Sequence, residues 1–286
     1  MKVGDYTVFV LSDGINRRTL AQQAELLQGD KAEMQAALAK AYPLGEIEST
    51  VNAFLICRGE KLVLIDTGNG TFGAPTMGKV VDNLRLIGYQ PEQIHEIYLT
   101  HMHGDHVGGL VTATGEPVFA NATVYANECE AAYWLDMNHF DSAPEATNRT
   151  FHTVKAALAP YQQADRFKTF AGNCQLSMGI QARDLFGHTP GHTAFCIESQ
   201  GKTLVLWGDI IHVAAIQFHD PAVTIAYDNN KQAAASIRQQ ILAEAAQQRW
   251  LVGGAHFASP GFGYVQAQKS ENKKYRFIAI EDDEDI

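Results

Sequence analysis

The 286-residue chain has only four cysteines, Cys57, Cys129, Cys174 and Cys196, and no two of them form a C-x-x-C pair. That spacing supports neither a disulfide framework nor a thiolate metal site. No run of 18 apolar residues occurs, and Met1-Lys2-Val3-Gly4-Asp5-Tyr6 leads into a strand-like segment instead of an apolar leader. No spanning helix or signal peptide is predicted, so a cytoplasmic location without membrane partners is expected. A basic surplus is missing too: 22 Lys and Arg stand against 32 Asp and Glu, a formal charge of −10. Glu281, Asp282, Asp283, Glu284 and Asp285 supply five of these charges. An acidic body repels a phosphate backbone, which argues against nucleic-acid partners. The chain also lacks a G-x-S-x-G elbow and any cysteine in motif context with a histidine, which argues against a protein nucleophile.

What is present is enough apolar residue for a sizeable core, at 46% hydrophobic and 19% charged, and a single layered α/β domain is expected over residues 1–286. An Ala, Gln, Leu, Glu and Lys-rich stretch predicts an N-terminal helical arm over about 19–42, interrupted near Gly29-Asp30. The run at 281–286 reads as a solvated acidic tail. Strands are predicted at 51–57 and 61–65 around Arg58-Gly59-Glu60, ending in Asp66, and at 193–198 and 203–207 around Gln200-Gly201, ending in Gly208-Asp209. Both pairs read Ala-Phe-x-Ile, glycine turn, Lys, aliphatic run, Asp, offset by about 140 residues. This weak internal repeat predicts two αβ halves packed sheet to sheet, with helices at 79–87, 127–136, 150–158 and 230–248 on the outer faces.

The densest signal is Thr100-His101-Met102-His103-Gly104-Asp105-His106-Val107-Gly108-Gly109, behind the apolar Ile97-Tyr98-Leu99. Side chains two apart on a strand share a face, so His101 and His103 are expected to point together, with the next turn swinging Asp105 and His106 to a neighbouring position. Imidazole and carboxylate suit zinc and other first-row divalent ions, and the segment holds too many ligands for one tetrahedral ion. Further candidates share one context, an aliphatic strand followed by a small turn and a polar residue: Asp66, Asp209 and His256, with His188 at the start of a strand. Any one of these alone is also what a turn former looks like. Together they predict convergence on the edge where layered sheets place ligands.

His101-x-His103-x-Asp105-His106, Gly187-His188-Thr189-Pro190-Gly191-His192, Gly208-Asp209 and Gly254-Ala255-His256-Phe257 resemble, in order, the motifs of the metallo-β-lactamase superfamily. Val51-Asn52-Ala53-Phe54-Leu55-Ile56, Gly78-Lys79-Val80-Val81-Asp82-Asn83-Leu84, Val213-Ala214-Ala215-Ile216-Gln217-Phe218 and Ser259-Pro260-Gly261 resemble its methyl parathion hydrolase subgroup, which also contains relatives of quorum-quenching lactonases. The resemblance implies a four-layer αββα sandwich and two divalent ions, zinc first, with manganese, iron and cobalt as alternatives. His101, His103 and His188 would hold one ion and Asp105, His106 and His256 the other, with Asp209 bridging. Asp66 would stand behind a ligand and fix its tautomer, and His192 would be structural. His95, His139, His152 and His212 are read as ordinary satisfied or surface histidines. The subgroup continues G-x-G-H where this chain has Gly261-Phe262-Gly263-Tyr264.

The implied chemistry is hydrolysis of an ester-like bond in a small molecule (lactone, carboxylic ester or phosphotriester) by a metal-bridging hydroxide. Asp209 serves that centre, and Asp105 is a candidate proton shuttle. Phe72, Trp134, Phe218 and Tyr264 are the candidate pocket residues. The alternatives are a glyoxalase II-like thioester hydrolase and a non-catalytic metal-binding protein. A homodimer is expected from the resemblance alone, with the helical arm as a candidate contact.

Overall fold

The computed structural model describes residues 1–142, 145–270 and 273–280; the acidic run at 281–286 lies outside the described residues. Among them, two seven-stranded mixed sheets form. The first places β1 (Lys2–Val3), β2 (Tyr6–Thr19), β3 (Glu46–Arg58), β4 (Lys61–Ile65), β5 (Glu96–Tyr98), β6 (Thr123–Asn127) and β7 (Phe167–Phe170) side by side in chain order. The second consists of β8 (Cys174–Gln175), β9 (Gln181–Asp184), β10 (Thr193–Ser199), β11 (Lys202–Leu206), β12 (Leu251–Gly253), β13 (Phe262–Ser270) and β14 (Lys273–Ala279), also in order. The helices are α1 (Leu20–Leu26), α2 (Lys31–Ala41), α3 (Val80–Leu86), α4 (Gly104–Val107), α5 (Glu128–Trp134), α6 (Met137–Ser142), α7 (Glu145–Gln163), α8 (Ala214–Gln217) and α9 (Lys231–Gln248). None is long and apolar enough to cross a membrane.

The central strands are nearly continuous apolar runs because both of their faces are covered. Phe54, Ile56, Val63 and Ile65 point between the sheets to meet Phe195, Ile197, Leu204 and Leu206. The alternate residues Leu55, Leu62 and Leu64 turn outward against Val80, Leu84, Val154 and Leu158 of the helices. On the far side Val205, Trp207 and Val252 pack on Ile241, Leu242 and Ala245 of α9. The layers therefore run helix, sheet, sheet, helix.

The repeated sequence pattern occupies matching positions in the two sheets. Phe54 pairs with Ile65 across the antiparallel β3–β4 hairpin, and Phe195 pairs with Leu206 across β10–β11. Each hairpin then gains a parallel neighbour, β5 beside β4 and β12 beside β11. Parallel pairing sends the carboxyl ends of β4, β5, β11 and β12 to one edge of the sandwich, and each of these ends carries a candidate site residue shortly after it.

The arm forms as two helices. Thr19 and Gln22 close a capping box at the start of α1, and the Asp30 side chain caps α2. Leu27 and Leu38 of the arm pack with Val213, Ile216 and Ile225, a segment of the second half. The helix expected at 150–158 extends over Glu145–Gln163, since the apolar face continues to the buried Tyr161.

Candidate metal centre

Strand β5 stops at Tyr98, so His101 and His103 lie beyond it and not on its face as the spacing suggested. His103 is the residue before α4, and the Asp105-His106 turn is this short helix. The rings still converge: His101 Nε2 and His188 Nε2 each lie 3.0 Å from His103 Nδ1. Asp209, just past β11, faces this trio through Oδ2, 3.6 Å from His101 Nε2 and 3.3 Å from His188 Nε2. Its other oxygen, Oδ1, lies 3.2 Å from His106 Nε2. Asp105 Oδ2 is 3.8 Å from both His106 Nε2 and His256 Nε2, and His256 Nε2 is 3.1 Å from Asp209 Oδ2.

Among the described residues three overlapping groups form, His101, His103, His188 with Asp209, Asp105, His106 with His256, and Asp209, His212 with His256, each with ligand atoms within 4.8 Å of one another. Gly208 makes the Asp209 turn feasible: its φ is +54°, and a Cβ there would meet His192 Nε2 at 2.7 Å. Asp66 likewise adopts φ 59°, a left-handed conformation that Asp tolerates better than most side chains.

Behind the cluster, acceptors fix which nitrogen of most rings faces inward. Asp66 Oδ2 lies 2.8 Å from His106 Nδ1 and accepts the Thr100 hydroxyl at 2.7 Å, while Oδ1 accepts the Thr100 N–H at 2.8 Å. The same hydroxyl is 3.1 Å from His101 Nδ1. The Thr50 carbonyl takes His256 Nδ1 at 2.8 Å, and Asp228 Oδ1 takes His188 Nδ1 at 2.8 Å. Each such bond leaves an Nε2 lone pair pointing into the site.

The donor set fits a cation. His106 Nε2 and Asp209 Oδ1 are buried without a hydrogen-bond partner, an arrangement that costs free energy unless something positive sits between them. Burial lowers His101 well below the imidazole range, and burial together with His188 takes His103 to about 3, so both rings are neutral ligands. Burial would raise Asp209, but the imidazoles of His256, His106, His101 and His212 outweigh it and hold the carboxyl far down, ionised. Burial would lower His188, yet Asp209 and Asp228 raise it to about 9. The site is therefore built to bind divalent metal.

His192 is structural in the way expected: fully buried, with Nδ1 3.1 Å from the Leu185 carbonyl, it accepts the Asp209 N–H on Nε2 at 3.0 Å. His212 departs from its ordinary reading. Its Nε2 sits 3.1 Å from Asp209 Oδ2, its ring stacks on His256 at 5.0 Å, and both of its nitrogens are buried without a hydrogen-bond partner. The signal was its place three residues past a strand-end aspartate, where a turn folds it back over the carboxylate. Asp228 was missed because it pairs with His188 from 40 residues away.

Of the four pocket candidates, two lie away from the cluster and a third is buried against it. Phe218 is 2% exposed and stacked against Phe277 and Phe257 in the core under α9. Tyr264 pairs with Leu251 at the start of β12, the end away from His256, and lines a small cavity with Val3 and Trp250. Trp134 is buried behind His103 at a ring distance of 5.6 Å, donating its indole N–H to Glu130 at 2.7 Å. Phe72 remains on the loop after Asp66, half-buried against the first core.

Two mixed sheets flanked by helices, with a histidine and aspartate cluster on their shared edge, define a class of metal-binding sandwich. Residues 47–256 match the metallo-β-lactamase superfamily, and the chain belongs to it. A crystal structure of hydrolase AbOPH, described as in the β-lactamase superfamily, is 33% identical with a TM-score of 0.91, covering 99% of this chain and 97% of that one. AidC, a dizinc quorum-quenching lactonase solved with the product N-hexanoyl-L-homoserine, is 26% identical with a TM-score of 0.88, covering 98% and 96%. The N-acyl homoserine lactonase AiiA of Bacillus thuringiensis subsp. kurstaki is 26% identical over 172 residues, 54% of this chain. The matched stretch spans 60% of that lactonase's length.

Proposed function

We propose that the chain is a dinuclear metal-dependent hydrolase that cleaves an ester-like bond in a small molecule, with acyl lactones as the first substrates to test. The observation that carries this reading is Asp209, whose carboxylate reaches both ligand groups: Oδ2 lies 3.3 Å from His188 Nε2 and 3.1 Å from His256 Nε2, and Oδ1 lies 3.2 Å from His106 Nε2. His101, His103 and His188 would hold one ion and Asp105, His106 and His256 the other, with zinc the first metal to test. When bound, the ions supply Lewis acidity and a water of lowered pKa. The chain's own residues orient and protect that chemistry. Asp66, Thr100, Asp228 and the Thr50 carbonyl lock the rings. Asp105, at 30% side-chain exposure against 3% for Asp209, is the site carboxylate that reaches solvent; ionised at rest, it can take the proton that the attacking water gives up and pass it to the leaving alkoxide. His212 packs against the cluster, its Nε2 3.1 Å from Asp209 Oδ2 and its ring stacked on His256.

Lactones, p-nitrophenyl esters, thioesters and phosphotriesters, assayed with and without exhaustive chelation, test this. Turnover of a lactone or ester that disappears on chelation and returns with zinc is expected. Turnover that survives chelation would falsify it, and a preference for thioesters would move the substrate class to the glyoxalase II-like alternative.

A further inference from the structure

We propose that Glu130 is a positioning residue that clamps both histidine-bearing segments into the geometry a bound cation needs. This rests on the reading that the cluster holds divalent metal.

Glu130 lies in α5, which starts immediately after β6 because Asn127 ends that strand and accepts the Cys129 N–H at 2.9 Å. One helical turn into the protein, the Glu130 carboxylate is fully buried. Oε1 accepts the N–H of Met102, the residue between His101 and His103, at 2.8 Å. Oε2 accepts the N–H of Gly191, in the turn between His188 and His192, also at 2.8 Å. Oε1 takes the Trp134 indole N–H as well, and that ring backs His103. One carboxylate therefore fixes a backbone amide from each half of the sandwich, and both amides flank rings of the same ligand group, His101, His103 and His188.

The close fit is built from both sides. A Cβ on Gly191 would lie 2.3 Å from the Glu130 backbone nitrogen, so the turn approaches α5 as only glycine permits. The charge has no local partner: neutral donors surround Glu130, and burial pushes its carboxyl up against their pull. A buried carboxylate without a Lys or Arg is costly. A cation held a few residues away by the rings it positions gives that charge a role, as carboxylates behind metal ligands commonly have.

The test is zinc affinity, measured on the full chain by competition with a chromophoric chelator. Glu130→Gln keeps the length but puts an NH2 against one of the two amide donors, freeing one segment. Its affinity for zinc at the His101, His103 and His188 group should fall about 10- to 100-fold. Leu84→Ala, a cavity variant in α3, serves as the control for lost stability alone and should bind zinc as the parent does. Parent-like affinity in Glu130→Gln overturns the clamp. If that variant does not fold, Glu130→Asp replaces it: one methylene shorter, it cannot span both amides, and the same two outcomes decide. A parent chain that takes up no zinc overturns the metal reading and the clamp together, whereas zinc uptake without ester turnover overturns the proposed reaction and leaves the affinity comparison decisive.

Discussion

Asp228→Asn is the perturbation with the most fully determined consequences. Asp228 is completely buried; Oδ1 holds His188 Nδ1 at 2.8 Å, and Oδ2 accepts the Ile225 N–H at 3.1 Å and lies 3.4 Å from Arg238 Nη2. Arg238, 1% exposed, spends its other donors on the Ile210, Pro221 and Val223 carbonyls, with 2.6 Å to Ile210. An asparagine must aim its NH2 either at His188 or at the Ile225 and Arg238 donors. The first choice reverses the His188 tautomer and removes its inward lone pair; the second leaves donors facing donors. Either way the buried guanidinium loses its counter-charge, a change that typically costs about 3–5 kcal/mol.

Urea denaturation in chelator reads the stability, and zinc competition reads a further drop of about 10- to 100-fold from the lost support of His188. Burial would raise Asp228, but His188 and Arg238 outweigh it and hold its carboxyl well below the usual range. With the folded pKa depressed, its stabilising contribution is fully present above an unfolded pKa of about 3.9 and fades only as pH falls below that. The Asp228 part of the deficit is therefore steady above pH 5. The His188 part, present below an unfolded pKa of about 6.5, fades as pH rises towards 9, so the variant's deficit should be largest near pH 5 to 6 and shrink towards pH 8. A loss under about 0.5 kcal/mol with unchanged zinc affinity would refute the reasoning, since a surface substitution does as little.

Zinc affinity should rise with pH. His188, raised to about 9, carries a proton at neutral pH that a cation must displace, so affinity should gain about tenfold per pH unit for each such proton between pH 6 and 8 and level off above 9; calorimetric affinities flat over that range would contradict the assignment. Phe218→Ala should cost about 3–5 kcal/mol as a core cavity while leaving the ratio of kcat/KM between short and long acyl substrates unchanged. A shifted ratio at near-parent stability would return Phe218 to the pocket wall.

The fold was legible because hairpin, glycine turn and strand-end aspartate recur in register, so Phe54 and Phe195 announced equivalent positions before any pairing was known. The candidate site was legible for a related reason: His101, His103, Asp105 and His106 are neighbours in the chain, and Asp66, His188, Asp209 and His256 share one strand-edge context. What stayed hidden depends on contacts between distant segments. Glu130 reaches Gly191 across 61 residues, and nothing local separates it from any other helical glutamate. The aromatic pocket candidates failed for another reason. Trp134 and Phe218 have the apolar bulk that lines a pocket or fills a core equally well, and only packing against Phe151 and Phe277 decides which. His212 was passed over because a lone loop histidine usually is ordinary; its stacking on His256 is visible only once β11 and β12 are paired.

The central claim is a divided cluster bridged by Asp209, and metal content tests it without reference to any substrate. Purified chain, loaded with zinc and freed of excess, should contain two equivalents by elemental analysis, and Asp209→Ala should retain at most one. A parent chain that saturates at a single equivalent, or an Asp209→Ala protein that still holds two, would contradict the account.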